Sequence, residues 1–342
     1  MSDATLPAGP ARPTYAKKDF MSDQVIRWCP GCGDYSILSQ AQTVFAELGI
    51  PRENFVMISG IGCSSRFPYY VNTYGFHTIH GRAATIATGV KASRPELSVW
   101  VITGDGDALS IGGNHTAHLL RRNVDVQVLL FNNRIYGLTK GQYSPTSEVG
   151  KKTKSTPMGS LDHPFSPLAF ALGCDASFVA RSVDIFTKEQ REVMHAAAAH
   201  RGAAFVELLQ NCNIFNDGAW DSLVEKSVRD RMCLFLEAGK PMVFAGGTKG
   251  IRLNGLTPEV VDLAEGGFTA DDCLVHDPAN LVLANMLARF ESPEFPVPMG
   301  VIYKVDRPTY DAQFAEQIHV AMQTQPADLQ KLLLGNETWT VG

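Results

Sequence analysis

Residues 104 to 133 carry the densest chemistry in the chain: Gly104-Asp105-Gly106, a helical stretch, then Asn132-Asn133. A hard divalent cation takes oxygen ligands, and the Asp105 carboxylate, the Asn133 amide and a backbone carbonyl supply them. Gly106 lets the backbone approach a phosphate closely. Gly104, Asp107 and Asn114 stand beside it as candidate phosphate-loop residues. The helix read over Leu109 to Arg122 can aim its N-terminal N–H groups at the same phosphate. Together these residues describe a metal–diphosphate site.

The elements that must position them are readable on either side. Leu97 to Thr103 (LSVWVIT) is apolar and β-branched and reads as a buried strand that delivers Asp105. Asp125 to Phe131 (DVQVLLF) reads as a second, delivering Asn133. Two neighbouring parallel strands bring both residues to one sheet edge, where open α/β folds bind ligands. Upstream come a helix over Tyr35 to Leu48, a strand over Phe55 to Ser59 and an alanine-rich helix over Thr78 to Lys91. Downstream, Arg134 to Ser160 is a long Gly/Ser/Thr/Lys-rich loop, a type that is usually functional. A helix (Pro167 to Leu172), a strand (Ala176 to Ala180), a helix (Phe186 to His200) and a strand (Ala204 to Leu209) follow. The alternation predicts an α/β fold with a doubly wound, mostly parallel sheet.

The ends read differently. Residues 1–22 are expected to form a flexible arm, residues 23–215 the site-bearing domain and residues 216–342 a C-terminal extension that covers it. Within the extension, Asp221 to Ala238 reads as a helix and Ala245 to Phe268 as glycine-dense loops. Asp277 to Phe290 reads as a further helix, Val301-Ile302-Tyr303 as an edge strand and residues 310–334 as an exposed helix.

Cys29 and Cys32 form a C-x-x-C around Pro30-Gly31, and Cys63 and Cys212 each follow a strand. In a parallel sheet these ends share the edge with Asp105 and Asn133. Four thiolates converging there suit a [4Fe–4S] cluster or a structural zinc. Cys174, Cys233 and Cys273 lack partners at ligand spacing and read as ordinary buried or half-buried cysteines. Asp34 reads as a helix N-cap, and Lys151, Lys152 and Lys154 as a solvated charge run.

The chain has 342 residues and a net charge of −5, which gives no footprint for nucleic acid or an acidic membrane surface. No apolar run reaches the roughly 18 residues of a membrane span. The N-terminal segment has no apolar core, so seven cysteines argue for a cytoplasmic protein.

The Gly104 to Asn133 pattern resembles the thiamine diphosphate signature. It stands in order with Trp28-Cys29-Pro30-Gly31-Cys32-Gly33, Gly62-Cys63-Ser64-Ser65-Arg66, His80-Gly81-Arg82-Ala83 and Tyr136-Gly137-Leu138-Thr139-Lys140-Gly141-Gln142. Over about residues 23 to 215 the chain resembles the β subunits of 2-oxoacid:ferredoxin oxidoreductases, most closely the 2-oxoglutarate variety (2-oxoglutarate synthase). The resemblance implies a thiamine diphosphate-binding fold of the diphosphate-type domain. It implies Mg2+ on Asp105, Asn133 and the Ile135 carbonyl, and one [4Fe–4S] cluster on Cys29, Cys32, Cys63 and Cys212. The cofactor pocket would take Ile61, Gly62, Cys63, His80, Gly104, Asp105, Gly106, Asp107, Asn133, Ile135, Gly137, Leu138 and Thr139. His80 would sit near the diphosphate or the reacting carbon and Leu138 would face that carbon, while Arg66 and Lys140 would meet substrate carboxylates. The reaction implied is the coenzyme A-dependent oxidative decarboxylation of 2-oxoglutarate to succinyl-CoA with reduction of ferredoxin, reversible as carboxylation. A larger α subunit would complete the site in an α2β2 assembly. Cys212 departs from the pattern, standing in Gln210-Asn211-Cys212-Asn213 where many relatives have Ser-Pro-Cys. The alternatives are the same chemistry on pyruvate or another 2-oxoacid, a non-redox thiamine diphosphate decarboxylase or carboligase, and a zinc-stabilised binding module.

Overall fold

The computed structural model describes residues 13–324 and 327–342. Helix α1 (Asp34–Glu47) buries Ile37, Leu38, Ala41, Val44 and Phe45, the one-sided spacing of a helix lying on a sheet. It leads to β1 (Phe55–Ser59) and, after a loop, to β2 (Tyr74–His77). Then come α2 (Ala83–Ser93), β3 (Ser98–Gly104), α3 (Gly113–Arg121) and β4 (Gln127–Asn132). After the long loop follow α4 (Pro167–Gly173), β5 (Phe178–Val183), α5 (Thr187–Ala199) and β6 (Ala204–Leu209). Strands β7 (Cys233–Phe235), β8 (Val243–Phe244), β9 (Lys249–Asn254) and β10 (Thr257–Asp262) precede α6 (Leu281–Leu287), β11 (Val297–Lys304) and α7 (Tyr310–Thr324).

The main sheet runs β2-β1-β3-β4-β6-β5-β11-β7. The six strands from β2 to β5 are mutually parallel, and β11 joins antiparallel to β5. Each strand that looked uniformly apolar sorts its residues by parity. In β3, Val99 and Val101 enter one core with α2, α3 and α4, while Trp100 and Ile102 enter the other with α1 and α5. Helices therefore cover both faces, which is the doubly wound arrangement expected.

Several local expectations change. The arm is not free up to residue 22: Phe20 is fully buried and its ring meets Phe55 at 5.4 Å. Residues 1–12 lie outside the described residues. The helix expected from Thr78 begins at Ala83, because Thr78 bonds back to the Ser59 carbonyl and Gly81 turns with φ +65°. The helix expected from Leu109 is α-helical only from Gly113. Before it the chain takes a wider turn closed by Gly112 N–H on the Asp107 carbonyl, with a kink at Ser110.

The C-terminal third differs most. Asp221 to Ala238 is not one helix but two short helical turns, Asp221–Val224 and Arg229–Met232, followed by β7. Ala245 to Phe268 is not a set of loops: β8, β9 and β10 form a small antiparallel sheet with Ile251 fully buried. The helix expected over Asp277 to Phe290 shortens to α6. β11 is eight residues long and lies inside the sheet, not at its edge. Residues 216–342 thus share the main sheet with the domain they were expected to cover.

Candidate functional site

The C-terminal ends of β1, β3, β4 and β6 open on one edge of the sheet. Gly104 pairs with Phe131 across β3 and β4, and Asn132 pairs with Leu209 across β4 and β6. Asp105 therefore follows level with Asn132, and Asn133 follows level with Gln210, along the same edge. Above them lies a cavity of about 580 Å³. All thirteen expected cofactor-binding residues line it, from Ile61, Gly62 and Cys63 after β1 to Gly137, Leu138 and Thr139 in the loop after β4.

Asp105 is 2 % exposed. Its Oδ2 accepts hydrogen bonds from the hydroxyls of Ser144 and Thr146, the latter at 2.6 Å. Burial pushes its carboxyl up to about 6, against the pull of the two hydroxyls and of backbone N–H groups. No Lys, Arg or His among the described residues pairs with it. A buried carboxylate without a cationic partner suits a bound cation, and the neighbouring donors are oxygens. Asn133 Oδ1 accepts from Ile135 N–H at 3.1 Å, which folds the chain so that the buried Ile135 lies against the same cavity. Among the described residues no group of three or more His, Cys, Asp and Glu side chains converges on a single ion. The oxygen set of Asp105, Asn133 and Ile135 contains only one of those residue types and draws the rest from an amide and a carbonyl.

Asp107 has a different role. Its Oδ1 accepts from Gly81 N–H at 2.7 Å and Ile61 N–H at 3.1 Å, and its Oδ2 from Thr103 at 2.8 Å. It pins the loops after β1 and β2 against β3, and so shapes the cavity wall through structure. His80 lies exposed on the rim.

The thiols gather behind the cavity. A Cβ on Gly137 would lie 3.5 Å from Cys63 Sγ and 3.6 Å from Cys212 Sγ. Gly33 N–H bonds to the Asn211 carbonyl and Asn213 Nδ2 to the Pro30 carbonyl, tying the Cys29–Cys32 loop to the Cys212 loop. Trp28 Nε1 donates to the Cys63 carbonyl at 2.7 Å. Burial pushes the Cys63 thiol up to about 12 and the Cys32 thiol higher still, with Asp34 adding in both cases. Thiols this reluctant to ionise in the bare protein become thiolates when a metal supplies the positive charge. Cys29 is exposed and Cys212 buried. The remaining cysteines lie apart: Cys174 ends α4, Cys233 opens β7 and Cys273 packs against Gly250 in β9.

Five residues sit differently from the expectation. Arg66 does not line the cavity; its charge lies instead near Cys63 and His77. Lys140 is exposed beside the lip, with φ +76°, and Asn114 is exposed on α3. Asp34 is the first residue of α1 and makes no N-cap bond. It is 1 % exposed, and neither of its oxygens has a nitrogen or oxygen partner. Lys151 is not a free charge, since it pairs with Glu148 at 3.0 Å and bonds Asn216.

Sequence reasoning missed Ser64, Ser110, Ile111, Phe131, Tyr136 and Gln142 in the cavity wall. Two of these carried a signal. Tyr136 and Gln142 bracket a turn with glycines at 137 and 141, and Tyr136 N–H bonds the Gln142 carbonyl at 2.9 Å. Ser144 and Thr146 carried none, because the fold of a loop decides which of its hydroxyls meets a carboxylate.

Comparison with known proteins agrees with this geometry. A family model described as "Thiamine pyrophosphate enzyme, C-terminal TPP binding domain" matches residues 60–208. The chain is 55% identical over 332 residues to "2-oxoglutarate oxidoreductase subunit KorB" of Mycobacterium tuberculosis, covering 95% of this chain and 88% of that protein. It is 48% identical over 190 residues to "2-oxoacid:ferredoxin oxidoreductase 1, subunit beta" of Aeropyrum pernix, covering 56% of this chain and 60% of that one. Among solved structures, a chain of "2-oxoglutarate:ferredoxin oxidoreductase from Magnetococcus marinus with 2-oxoglutarate, coenzyme A and succinyl-CoA bound" matches with a TM-score of 0.77 and 34% identity. That match covers 96% of this chain and 98% of the other. No helix among the described residues is long and apolar enough to cross a membrane.

Proposed function

The chain belongs to the β subunits of the 2-oxoacid:ferredoxin oxidoreductases, and from that premise we propose that it is the thiamine- and cluster-bearing subunit of a 2-oxoglutarate:ferredoxin oxidoreductase. It would take part in converting 2-oxoglutarate and coenzyme A to succinyl-CoA and carbon dioxide while ferredoxin is reduced. The observation that carries the reading is the shared wall. Cys63 lines the cavity above Asp105 and also lies beside Gly137 next to Cys212.

Thiamine diphosphate, when bound, supplies an electron sink for decarboxylation, and a [4Fe–4S] cluster supplies a one-electron acceptor. Asp105, Asn133 and the carbonyl of Ile135 would hold Mg2+, an oxygen set suited to a hard cation. Gly104 and Gly106 give a diphosphate room against the backbone. Cys29, Cys32, Cys63 and Cys212 would hold the cluster, which is wider than a single ion and so does not need all four sulfurs at one point. Leu138 and Ile111 supply apolar surface that keeps water from the reacting centre, and His80 on the rim offers a proton donor or acceptor. Lys140 beside the lip would meet a substrate carboxylate, and Arg66, set off the cavity near Cys63 and His77, is a second candidate cation for it.

A larger α subunit would close the open side of the cavity in an α2β2 assembly, and the cytoplasm would be the site of action. The test is co-expression with that subunit under anaerobic conditions, followed by assay of 2-oxoacids with coenzyme A and ferredoxin. Coenzyme A-dependent ferredoxin reduction, faster with 2-oxoglutarate than with pyruvate, is the expected result. Carbon dioxide release with no electron transfer would favour a non-redox decarboxylase instead.

A further inference from the structure

The geometry points to Ser144 and Thr146 as positioning residues that hold the Asp105 carboxylate by one oxygen and present the other to a divalent cation. The inference rests on the reading of Asp105 as a cation ligand given above.

Both hydroxyls converge on Oδ2 of Asp105, and no side chain among the described residues donates to Oδ1. The grip comes from the segment Ser144-Pro145-Thr146-Ser147, which folds as one turn. Ser147 N–H bonds the Ser144 carbonyl at 3.0 Å, and Ser144 N–H bonds Ser147 Oγ at 2.8 Å. Ser147 Oγ in turn donates to the Arg134 carbonyl at 2.6 Å, anchoring the turn to the chain just after Asn133. Phe165 N–H holds it from behind through the Pro145 carbonyl at 2.8 Å.

Thr146 is confined from its other side by Asn132. The Asn132 amide nitrogen donates to Glu207 Oε1 at 2.7 Å, and Glu207 Oε2 accepts from Arg181 Nε at 2.7 Å. An ionised carboxylate only accepts, so Asn132 must turn its NH2 toward Glu207. Its oxygen then faces Arg134 N–H at 3.2 Å and the Thr146 hydroxyl at 2.9 Å. Thr146 has one proton for two acceptors, and the carboxylate is the stronger of them. Asp105, Asn132, Ser144, Thr146, Arg181 and Glu207 are all buried. The chain from Arg181 to Asp105 therefore fixes which oxygen of the ligand the hydroxyls engage and which they leave to the cation.

Partners of this kind behind a metal ligand typically change metal affinity by about ten- to hundred-fold when removed. The experiment uses the full αβ complex stripped of cofactor, with Mg2+ titrated at fixed thiamine diphosphate and binding read by calorimetry. Thr146→Val and Ser144→Ala are expected to raise the Mg2+ needed for half-saturation by about that factor. Thr146→Ser, which keeps the hydroxyl, is expected to behave as wild type. Wild-type Mg2+ dependence in Thr146→Val, or a Thr146→Ser variant as weak as Thr146→Val, overturns the inference. Should Thr146→Val fail to assemble, Ser144→Ala decides by the same outcomes. A wild-type complex that binds thiamine diphosphate without regard to Mg2+ overturns the cation site itself, a result distinct from either.

Discussion

The ring of Tyr136 fills the space that a side chain at Gly106 would need: a Cβ there would lie 2.1 Å from Tyr136 Cε1. The Tyr136 hydroxyl also donates to the Gly106 carbonyl at 3.3 Å. Gly106 has φ −66°, a value open to any residue, so close approach and not backbone conformation demands the glycine. Gly106→Ala is expected to destabilise the protein by about 1–3 kcal/mol through overpacking. Tyr136→Ala in the same chain removes the clash, so the double variant should lose less than the sum of the single ones. Thermal unfolding of the four proteins checks this, and strict additivity would contradict it.

The thiols make a second prediction. The reconstituted protein should bind about four irons per chain. Cys29→Ser, Cys32→Ser, Cys63→Ser and Cys212→Ser should each lower the iron content, while Cys174→Ser, Cys233→Ser and Cys273→Ser should not. Iron and sulfide analysis reads the outcome. A full cluster in Cys212→Ser would remove that residue from the ligand set.

The edge that carries the site was legible in the sequence because β3 and β4 are apolar runs ending in Asp105 and Asn133. A parallel sheet aligns such ends automatically. The C-terminal third was not legible because tertiary pairing overrode local pattern. Cys233, inside an expected helix, pairs with Val297 more than sixty residues away. The hairpin of β9 and β10 did carry a local signal: its two-residue loop is Gly255-Leu256, with Gly255 at φ +63° just after Asn254, which pairs with Thr257. The glycine density around it hid that signal. β2 was missed for the opposite reason, since all four of its residues are exposed and no burial pattern marks it.

His200 gives a pH dependence. It is buried, its Nε2 shares a hydrogen bond with Ser177 at 2.7 Å, and its ring packs on Phe178. Burial, with Lys304 nearby, holds its protonation below the ordinary value of 6.5. The unfolded chain therefore takes up a proton before the folded one, so this contribution is complete above the ordinary value and is lost as pH falls through it. The melting temperature should drop between about pH 7.5 and 5.5, and His200→Gln should flatten part of that drop. An identical slope in the variant would show that His200 does not contribute.

Lys140 tests substrate choice. It stands exposed one residue beyond Thr139, which lines the cavity. If its ammonium meets the distal carboxylate of 2-oxoglutarate in the assembled enzyme, Lys140→Ala removes a charge-assisted bond worth about 1.5–3 kcal/mol, or about ten- to hundred-fold in kcat/KM. Turnover of pyruvate should change little. Equal losses on both substrates would assign Lys140 to loop structure, where its left-handed backbone also makes Lys140→Gly an easy substitution.

The central claim is that one chain joins the thiamine site at Asp105 to the thiol set across the wall formed by Cys63 and Gly137. Electron paramagnetic resonance of the anaerobic αβ complex after addition of 2-oxoglutarate tests it most directly. A reduced-cluster signal should appear in the wild type and be absent from Asp105→Ala with its iron content intact. A signal of wild-type size in Asp105→Ala would contradict the claim. So would no signal from a wild-type complex loaded with thiamine diphosphate, Mg2+ and its full iron.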